Sequence, residues 1–157
     1  MNVDFTIRQV VDSKDLRLLR EFMHLHDFNY PFYHDWVDGV CIPEIERRYK
    51  TAIVVLYGGL IVGDLVWQPH KELPRTVEGK NLRIDSRVSG RGLAYFLFKQ
   101  CEAENRNDFD SILVDIPNDQ KDIKLFLLRY GFNTIYQAPL YSDNRMETIM
   151  VKKLKST

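Results

Sequence analysis

The sequence has few cysteines, no surplus of charge of either sign and no long apolar run. Cys41 and Cys101 are the two cysteines in 157 residues, too few for a disulfide framework, so we expect free thiols in a reducing compartment, the cytoplasm. Lys plus Arg and Asp plus Glu number 22 each, so the formal net charge is zero. That balance argues against a general nucleic-acid binder, which needs surplus positive charge. No stretch approaches the roughly 18 apolar residues of a membrane span, and the start lacks a signal-peptide core.

What is present is the composition of a globular domain. Hydrophobic residues make up 45% and charged residues 28% of the chain, which is inconsistent with wholesale disorder. We find no internal repeat, no low-complexity tract and no linker. The length suits one domain with a substantial core, so we predict a single domain over residues 1–157.

Hydrophobic periodicity predicts the secondary structure. Apolar residues alternating with polar ones indicate strands, and spacings of i, i+3, i+4 and i+7 indicate helices. The predicted elements, in chain order, are a strand around Val3, Phe5 and Ile7, a helix from Asp12 or Ser13 to about Asp27, a helix over 43–49, strands over 52–57 and 60–67 joined by Gly58-Gly59, a strand over about 77–86, a helix from 93, a strand over 111–116, a helix through Ile123 and Tyr130 that ends at Gly131, and strands in FNTIYQA and ETIMVKKL.

This order of elements predicts an α/β protein of the α+β type. A hairpin-rich first half followed by βαβ units implies a mixed, mostly antiparallel central sheet of about six to seven strands, with helices on both faces. Exposed strands near the C-terminus would favour pairing with a second copy, so we also expect a homodimer.

The glycine turn, Gly90-Arg91-Gly92, stands directly before the most apolar predicted helix. Glycines permit close approach to the backbone, and a helix start presents unpaired N–H groups to an anion. The chain has no Walker A run. A dinucleotide fingerprint fails because Tyr95 occupies the position where close helix–strand packing needs a small residue. The turn therefore predicts a phosphate-binding loop of another design.

From Leu82 the sequence runs L-R-I-D-S-R-V-S-G-R-G-L-A, which resembles motif A of the GNAT superfamily, the acetyl-CoA-dependent N-acetyltransferases. The RYGF at 129–132 resembles a second landmark of that superfamily, and the element order agrees with its fold. Ser89 departs from the Gln or Arg usual at its position. The positions that match motif A in register are Leu82, Ile84, Gly90, Gly92, Leu93 and Ala94.

The resemblance implies that acetyl-CoA is a cosubstrate and assigns it residues. Backbone N–H groups from Ser89 to Ala94 would hold the pyrophosphate. Ser89 would cap the helix or donate its hydroxyl, and Arg91 would add a cation at the edge. Backbone groups of Ile84 and Asp85 would pair with the pantetheine arm. Asn118 would contact the cofactor or cap the following helix, with the cap favoured.

For the chemistry, the resemblance implies transfer of an acetyl group to a primary amine, with Glu78 as the general base and His70 as a second candidate. The position where many relatives carry the acidic Tyr is Leu127 here. Tyr130 is the nearby candidate acid, although it also fits a core role. A non-catalytic acyl-CoA-binding or regulatory module therefore stays open. We expect no metal, since His24 and His26 lie about 200° apart on a helix.

The resemblance also places the segment between the first two helices, FNYPFYHDWVDGV, beside the acceptor. Its aromatic side chains would line an apolar pocket, while Asp35 and Asp38 would attract a cationic amine such as a peptide N-terminus, a lysine or a small metabolite. The alternative is that the aromatics pack the helices onto the sheet. The aromatic residues concerned are Phe28, Tyr30, Phe32, Tyr33 and Trp36.

Overall fold

The computed structural model describes residues 4–27 and 30–155. The predicted order of strands and helices is confirmed, although Val3 of the predicted first strand lies outside the described residues. The elements are β1 Thr6–Gln9, α1 Ser13–Leu25, α2 Tyr33–Trp36, a π turn Val37–Cys41, α3 Ile42–Glu46, β2 Thr51–Tyr57, β3 Leu60–Pro69, β4 Thr76–Ile84, a 3-10 turn Ser86–Val88, α4 Leu93–Asn105, β5 Ser111–Pro117, α5 Lys121–Tyr130, β6 Asn133–Ser142 and β7 Arg145–Lys153.

The strands form one seven-stranded sheet in the order β1-β2-β3-β4-β5-β7-β6. The pairs β1–β2, β2–β3, β5–β7 and β7–β6 are antiparallel, and β4–β5 is parallel. The predicted mixed, mostly antiparallel sheet is thus confirmed. By its internal contacts the chain divides into a first unit, Met1–Gln68 with Lys80–Cys101, and a second unit, Pro69–Gly79 with Glu102–Thr157.

The core of the first unit lies under helix α1. Leu19, Phe22 and Met23 of that helix are buried together with apolar residues of α3, β2 and β3. Asp12 is the N-cap, since its side chain accepts a hydrogen bond from the Asp15 N–H at 2.8 Å. A cap of this kind stabilises a helix by about 1 kcal/mol.

The helical segment after α1 begins earlier than the sequence predicts, at Tyr33 rather than at 43, and ends at Glu46. Phe32 precedes it with φ at 57°, a left-handed conformation that is uncommon for a bulky side chain. The predicted start at 43 was wrong because Pro31, which disfavours a helix that runs through it, stands just before Tyr33. Pro31 lies before the helix, where its missing N–H removes no helical hydrogen bond.

Glycine turns end two other elements as predicted. Gly58 and Gly59 join β2 to β3 with φ of 58° and 78°, the conformation of a tight two-residue hairpin. In the second unit Gly131 ends α5 with φ at 116°, and its N–H donates to the Leu127 carbonyl at 3.1 Å. Within the described part of the chain, no helix is long and apolar enough to cross a membrane.

Candidate functional site

The glycine turn belongs to the first unit and has the backbone conformation that only glycine adopts easily. Gly90 and Gly92 have φ of 75° and 74°. A Cβ atom at Gly90 would meet no heavy atom within 4 Å. Backbone conformation, rather than crowding by the protein, therefore requires glycine at position 90, and the space beside Gly90 is open.

The backbone N–H groups of residues 90–94 have no acceptor among the residues that the structure describes. The first backbone hydrogen bond across this junction runs from the Phe96 N–H to the Gly92 carbonyl at 3.2 Å. Unpaired N–H groups at a helix start carry partial positive charge. A run of five such groups beside two left-handed glycines is suited to an oxyanion such as a pyrophosphate.

Ser89 does not cap α4. Its hydroxyl donates to the Ser86 carbonyl at 2.9 Å, so it completes the 3-10 turn that precedes the glycines. At the start of that turn Asp85 accepts a hydrogen bond from the Arg87 N–H at 2.9 Å, and the Arg87 guanidinium contacts both carboxylate oxygens. The Arg87 hydrogen bond lowers the pKa of Asp85 to about 2. Hydrogen bonds and an ion pair between neighbouring residues thus stabilise the 3-10 turn that precedes the glycine turn.

The backbone of Asp85 is already used by the protein, contrary to the prediction that it pairs with a pantetheine arm. Its N–H donates to the Val62 carbonyl of β3 at 2.9 Å, and its carbonyl accepts from the Val88 N–H at 3.0 Å. Successive residues of a strand direct their backbone N–H and C=O groups to opposite sides. Because the Asp85 N–H faces β3, the N–H and C=O of Ile84 face the other edge of β4. In the first unit β4 is the last strand of the order β1-β2-β3-β4, so Ile84 presents its backbone at that edge.

The favoured prediction for Asn118, a cap on the following helix, is wrong. The N-cap residue of α5 in the described part of the chain is Gln120, whose side chain makes no capping hydrogen bond. The Asn118 side-chain oxygen accepts a hydrogen bond from the Thr148 hydroxyl, and its N–H donates to the Met146 carbonyl at 3.0 Å. Asn118 is tied to strand β7, the antiparallel neighbour of β5.

Glu78 and His70, the two candidate bases, both lie in the second unit. Glu78 is half-buried on β4, opposite Leu113 of β5. His70 follows β3, and its Nδ1 accepts hydrogen bonds from the Glu72 and Leu73 N–H groups at 3.1 and 3.0 Å. Both contacts lie within the loop that follows β3, so the Nδ1 lone pair of His70 is used by its own loop.

Tyr130, the candidate acid, is held in a cluster of the second unit. Its hydroxyl donates to the Glu102 carboxylate, which also pairs with the Lys152 ammonium. The Lys152 nitrogen lies 5.0 Å from the centroid of the Tyr130 ring. Leu127, at the position usual for the acidic Tyr, is fully buried. Tyr130 can act as an acid only after its hydrogen bond to Glu102 breaks.

Part of the predicted acceptor segment forms an open cleft of about 230 Å³ in the first unit, which we call the aromatic cleft. Asp35 and Phe32 are exposed there, whereas Tyr33 is buried. Trp36 does not line the cleft; its ring packs 5.7 Å from that of Tyr33 and against the core. Phe28 lies outside the described residues. The lining residues are Asp27, Tyr30, Phe32, Tyr33, His34 and Asp35.

Asp38, predicted to attract an amine together with Asp35, is occupied elsewhere. Its carboxylate accepts two hydrogen bonds from Arg20 at 2.7 and 3.0 Å and lies 2.8 Å from His24 Nε2. The Arg20 hydrogen bonds lower the pKa of Asp38. This carboxylate therefore joins α1 to the π turn rather than lining the aromatic cleft.

Behind the cleft lies a buried polar chain that sequence reasoning missed. The Tyr33 hydroxyl donates to Asn81 Oδ1 at 2.7 Å, and Asn81 Nδ2 donates to Asp64 Oδ2 at 2.7 Å. Burial raises the pKa of Asp64 to about 7 and raises the pKa of Tyr33. The signal in the sequence was the lone charge inside the apolar strand LIVGDLVW.

Arg83 completes this region as a buried cation. Its guanidinium carbon lies 5.7 Å from the Tyr30 ring centroid and 5.3 Å from that of Tyr33. Its Nε donates to the His26 carbonyl at 2.8 Å. The two tyrosines of the cleft are thus fixed in place from behind, by ring contacts and by the Asn81 hydrogen bond.

No family model and no curated protein matches the chain. Solved structures do. A candidate acetyltransferase of the GNAT family from Desulfovibrio desulfuricans superposes with a TM-score of 0.83 at 14% identity, covering 97% of this chain and 100% of the other. An aminoglycoside 6'-N-acetyltransferase complexed with coenzyme A gives 0.77 at 13% identity, with 97% and 98% coverage. The ribosomal-protein-S18-alanine N-acetyltransferase from Escherichia coli gives 0.77 at 12% identity, with 98% and 96% coverage. The chain has the fold of the GNAT acetyltransferases.

Proposed function

We propose that this protein is an N-acetyltransferase that transfers an acetyl group from acetyl-CoA to a primary amine. The observation that carries the proposal is the glycine turn, whose five consecutive N–H groups at residues 90–94 find no acceptor within residues 4–27 and 30–155. Such a turn binds the pyrophosphate of coenzyme A through the backbone. A structural neighbour bound to coenzyme A, at 13% identity, supports the same ligand.

The other proposed contacts to the coenzyme are made by the backbone at the edge of β4 and by a side chain of the glycine turn. Ile84 offers its N–H and carbonyl to the pantetheine amides, in the manner of an added strand. Arg91 is exposed within the turn and contributes positive charge beside the phosphates. Asp85 contributes through the 3-10 turn that it starts, since both of its backbone groups are bonded within the protein.

The aromatic cleft is the proposed acceptor site. Asp27 and Asp35 supply negative charge, and Tyr30 and Phe32 supply aromatic faces. A protonated amine is attracted to both kinds of group. This chemistry suits a peptide N-terminus, a lysine or a small-molecule amine, because all three present an ammonium group on an apolar stem.

In the reaction, acetyl-CoA supplies an activated thioester when bound. Glu78 is proposed to remove a proton from the acceptor ammonium, directly or through water, so that the neutral amine becomes the nucleophile. The thiol that leaves has a pKa of about 8.5, so its departure as a thiolate needs an acid less than an alkoxide would. The substitution of Leu127 for the usual Tyr is therefore compatible with turnover.

The proposal is tested by measuring free thiol released from acetyl-CoA in the presence of a panel of amines. We expect release with at least one amine and a loss of roughly 100-fold or more in Glu78→Gln, the range for a general base. Glu46→Gln, an exposed position on α3, is the matched control and should keep full activity. An unchanged rate in Glu78→Gln would remove Glu78 as the base.

A second candidate function is an acyl-CoA-binding module without turnover. The observation that favours it concerns the two positions considered for the acid: Leu127 is buried, and the Tyr130 hydroxyl is bonded to Glu102. In that case acetyl-CoA raises the melting temperature, because it binds only the folded state, but no amine releases thiol. Tyr130→Phe separates the roles further: an acid role predicts slower turnover, whereas a packing role predicts unchanged turnover.

A further inference from the structure

Two large aromatic side chains project from the first turn of α4. Tyr95 is 44% exposed and Phe96 is 54% exposed, whereas Leu93 and Leu97 of the same helix are buried. Phe is among the residue types most often buried. An exposed Phe beside an exposed Tyr thus marks a surface on which a flat apolar group can lie.

Phe96 lies against the glycine turn at Gly92. Its Cε2 is 3.8 Å from the position that a Cβ atom would take at Gly92, and its N–H donates to the Gly92 carbonyl at 3.2 Å. Helical side chains point towards the N-terminus of their helix, which brings the ring back over the turn. The ring therefore lies beside Gly92, one of the residues whose N–H groups form the proposed phosphate site.

Tyr95 supports the Phe96 ring from the side. The two ring centroids are 5.5 Å apart with the planes at 83°, an edge-to-face contact. This geometry holds the rings against each other without covering both faces of Phe96. The Lys99 ammonium lies 5.5 Å from the Tyr95 ring centroid, so a cation accompanies the aromatic pair.

We propose that Phe96 is the stacking surface for the adenine base of the coenzyme, with Tyr95 as its support. The inference rests on the proposed binding of coenzyme A at the glycine turn. In that molecule one ribose separates the pyrophosphate from the adenine, so a base attached to a pyrophosphate on the turn reaches the adjoining ring. Lys99 and Arg91 then provide positive charge for the phosphate on the ribose.

Calorimetric binding of two ligands tests the assignment without any need for turnover. Coenzyme A carries the adenosine part, and 4'-phosphopantetheine lacks it. We expect Phe96→Leu to weaken coenzyme A roughly 5- to 100-fold, the range for loss of one base stack, and to leave 4'-phosphopantetheine unchanged. Tyr57→Leu, which replaces a 43% exposed tyrosine on β2, is the matched control and should change neither affinity.

Phe96→Trp provides a second readout. We expect it to keep the affinity for coenzyme A, and we expect coenzyme A, but not 4'-phosphopantetheine, to quench the emission of the added indole. Equal affinity of wild type and Phe96→Leu for coenzyme A would overturn the stacking role and leave the proposed function intact. Equal weakening of both ligands would also overturn it, since Phe96 would then act on the turn. Failure of the wild type to bind coenzyme A would overturn both proposals.

Discussion

The side-chain amide of Asn81 donates a 2.7 Å hydrogen bond to the carboxylate of Asp64, a residue with no exposed surface in the core of the first unit. The other end of Asn81 accepts from Tyr33 of the aromatic cleft at 2.7 Å. A buried carboxyl group on β3 is thereby connected to the floor of the proposed acceptor site. The second oxygen of Asp64, Oδ1, has no hydrogen-bond partner among the residues that the structure describes, which is costly if the group is ionised.

We predict that Asp64 makes the stability of the protein depend on pH. Burial raises the pKa of Asp64 from 3.8 to about 7, so between those values the folded protein retains a proton that the unfolded chain releases. The free energy of unfolding should therefore fall as pH rises through this window, by about 1.4 kcal/mol per pH unit for a full proton. Urea unfolding from pH 4.5 to pH 8 measures the slope.

Asp64→Asn should abolish that slope and make the protein more stable than wild type at pH 8. The substitution keeps an oxygen that accepts from Asn81 and removes the buried charge. Asp119→Asn, at an exposed position, is the control and should retain the wild-type slope. Parallel pH profiles for Asp64→Asn and wild type would show that Asp64 does not titrate in this window.

Substitutions at left-handed glycines should separate folding from coenzyme binding. Gly90→Ala and Gly58→Ala both place a Cβ atom at positive φ, 75° and 58°, and neither meets a heavy atom within 4 Å. Each should lower the free energy of unfolding by roughly 1 kcal/mol. Only Gly90→Ala should also weaken coenzyme A, because the turn must change shape. Equal coenzyme affinity of the two variants would remove the glycine turn as the binding site.

The two acidic residues of the predicted acceptor segment should behave differently. Asp35→Asn should raise the KM for a cationic amine several-fold, since Asp35 lines the aromatic cleft and its charge attracts the amine. Asp38→Asn should leave that KM unchanged and lower the melting temperature, because Asp38 pairs with Arg20 and His24. Steady-state kinetics and thermal unfolding of both variants give the comparison. If Asp38→Asn has the larger effect on KM, the cleft is not the acceptor site.

Strand β6 is the surface on which we expect two copies to pair. It is the outermost strand of the order β5-β7-β6, and its ten residues, NTIYQAPLYS, include no charge. Ile135 and Tyr136 are 52% and 53% exposed. An uncharged exposed edge strand can accept a second strand, and a net charge of zero removes long-range repulsion between copies. Sedimentation velocity should show dimers.

Ile135→Lys should convert those dimers to monomers, because a lysine on an edge strand opposes pairing. Leu60→Lys changes a 60% exposed leucine of the first unit and should leave the dimer intact. Wild-type protein that sediments as a monomer at high concentration, or a dimer that survives Ile135→Lys, would exclude β6 as the interface.

Local rules predicted most of the fold correctly. The turns at Gly58, Gly59 and Gly131 were predicted because glycine adopts the conformation that such turns need. The start of α1 at Asp12 or Ser13 was predicted because short polar side chains are preferred at helix N-caps. The errors arose where several elements compete for one side chain. Asn118 was expected to cap α5, but the adjacent strand β7 presents Thr148 to it. Ser89 was expected to cap α4 or to donate its hydroxyl, and its hydroxyl donates to the Ser86 carbonyl of the preceding turn instead of capping α4.

The order of strands and helices, the glycine turn and the resemblance to GNAT acetyltransferases could all be read from the amino-acid sequence, because they depend on periodicity and on residues a few positions apart. The contacts of Asp64, Asn81 and Tyr33 could not, since they join side chains 17 and 48 positions apart in the chain. The hydrogen bond from the Asp85 N–H to a carbonyl of the neighbouring strand β3 could not be read from the sequence either. Hydrogen bonds between distant segments depend on which groups folding brings within about 3 Å, and only the tertiary structure decides that.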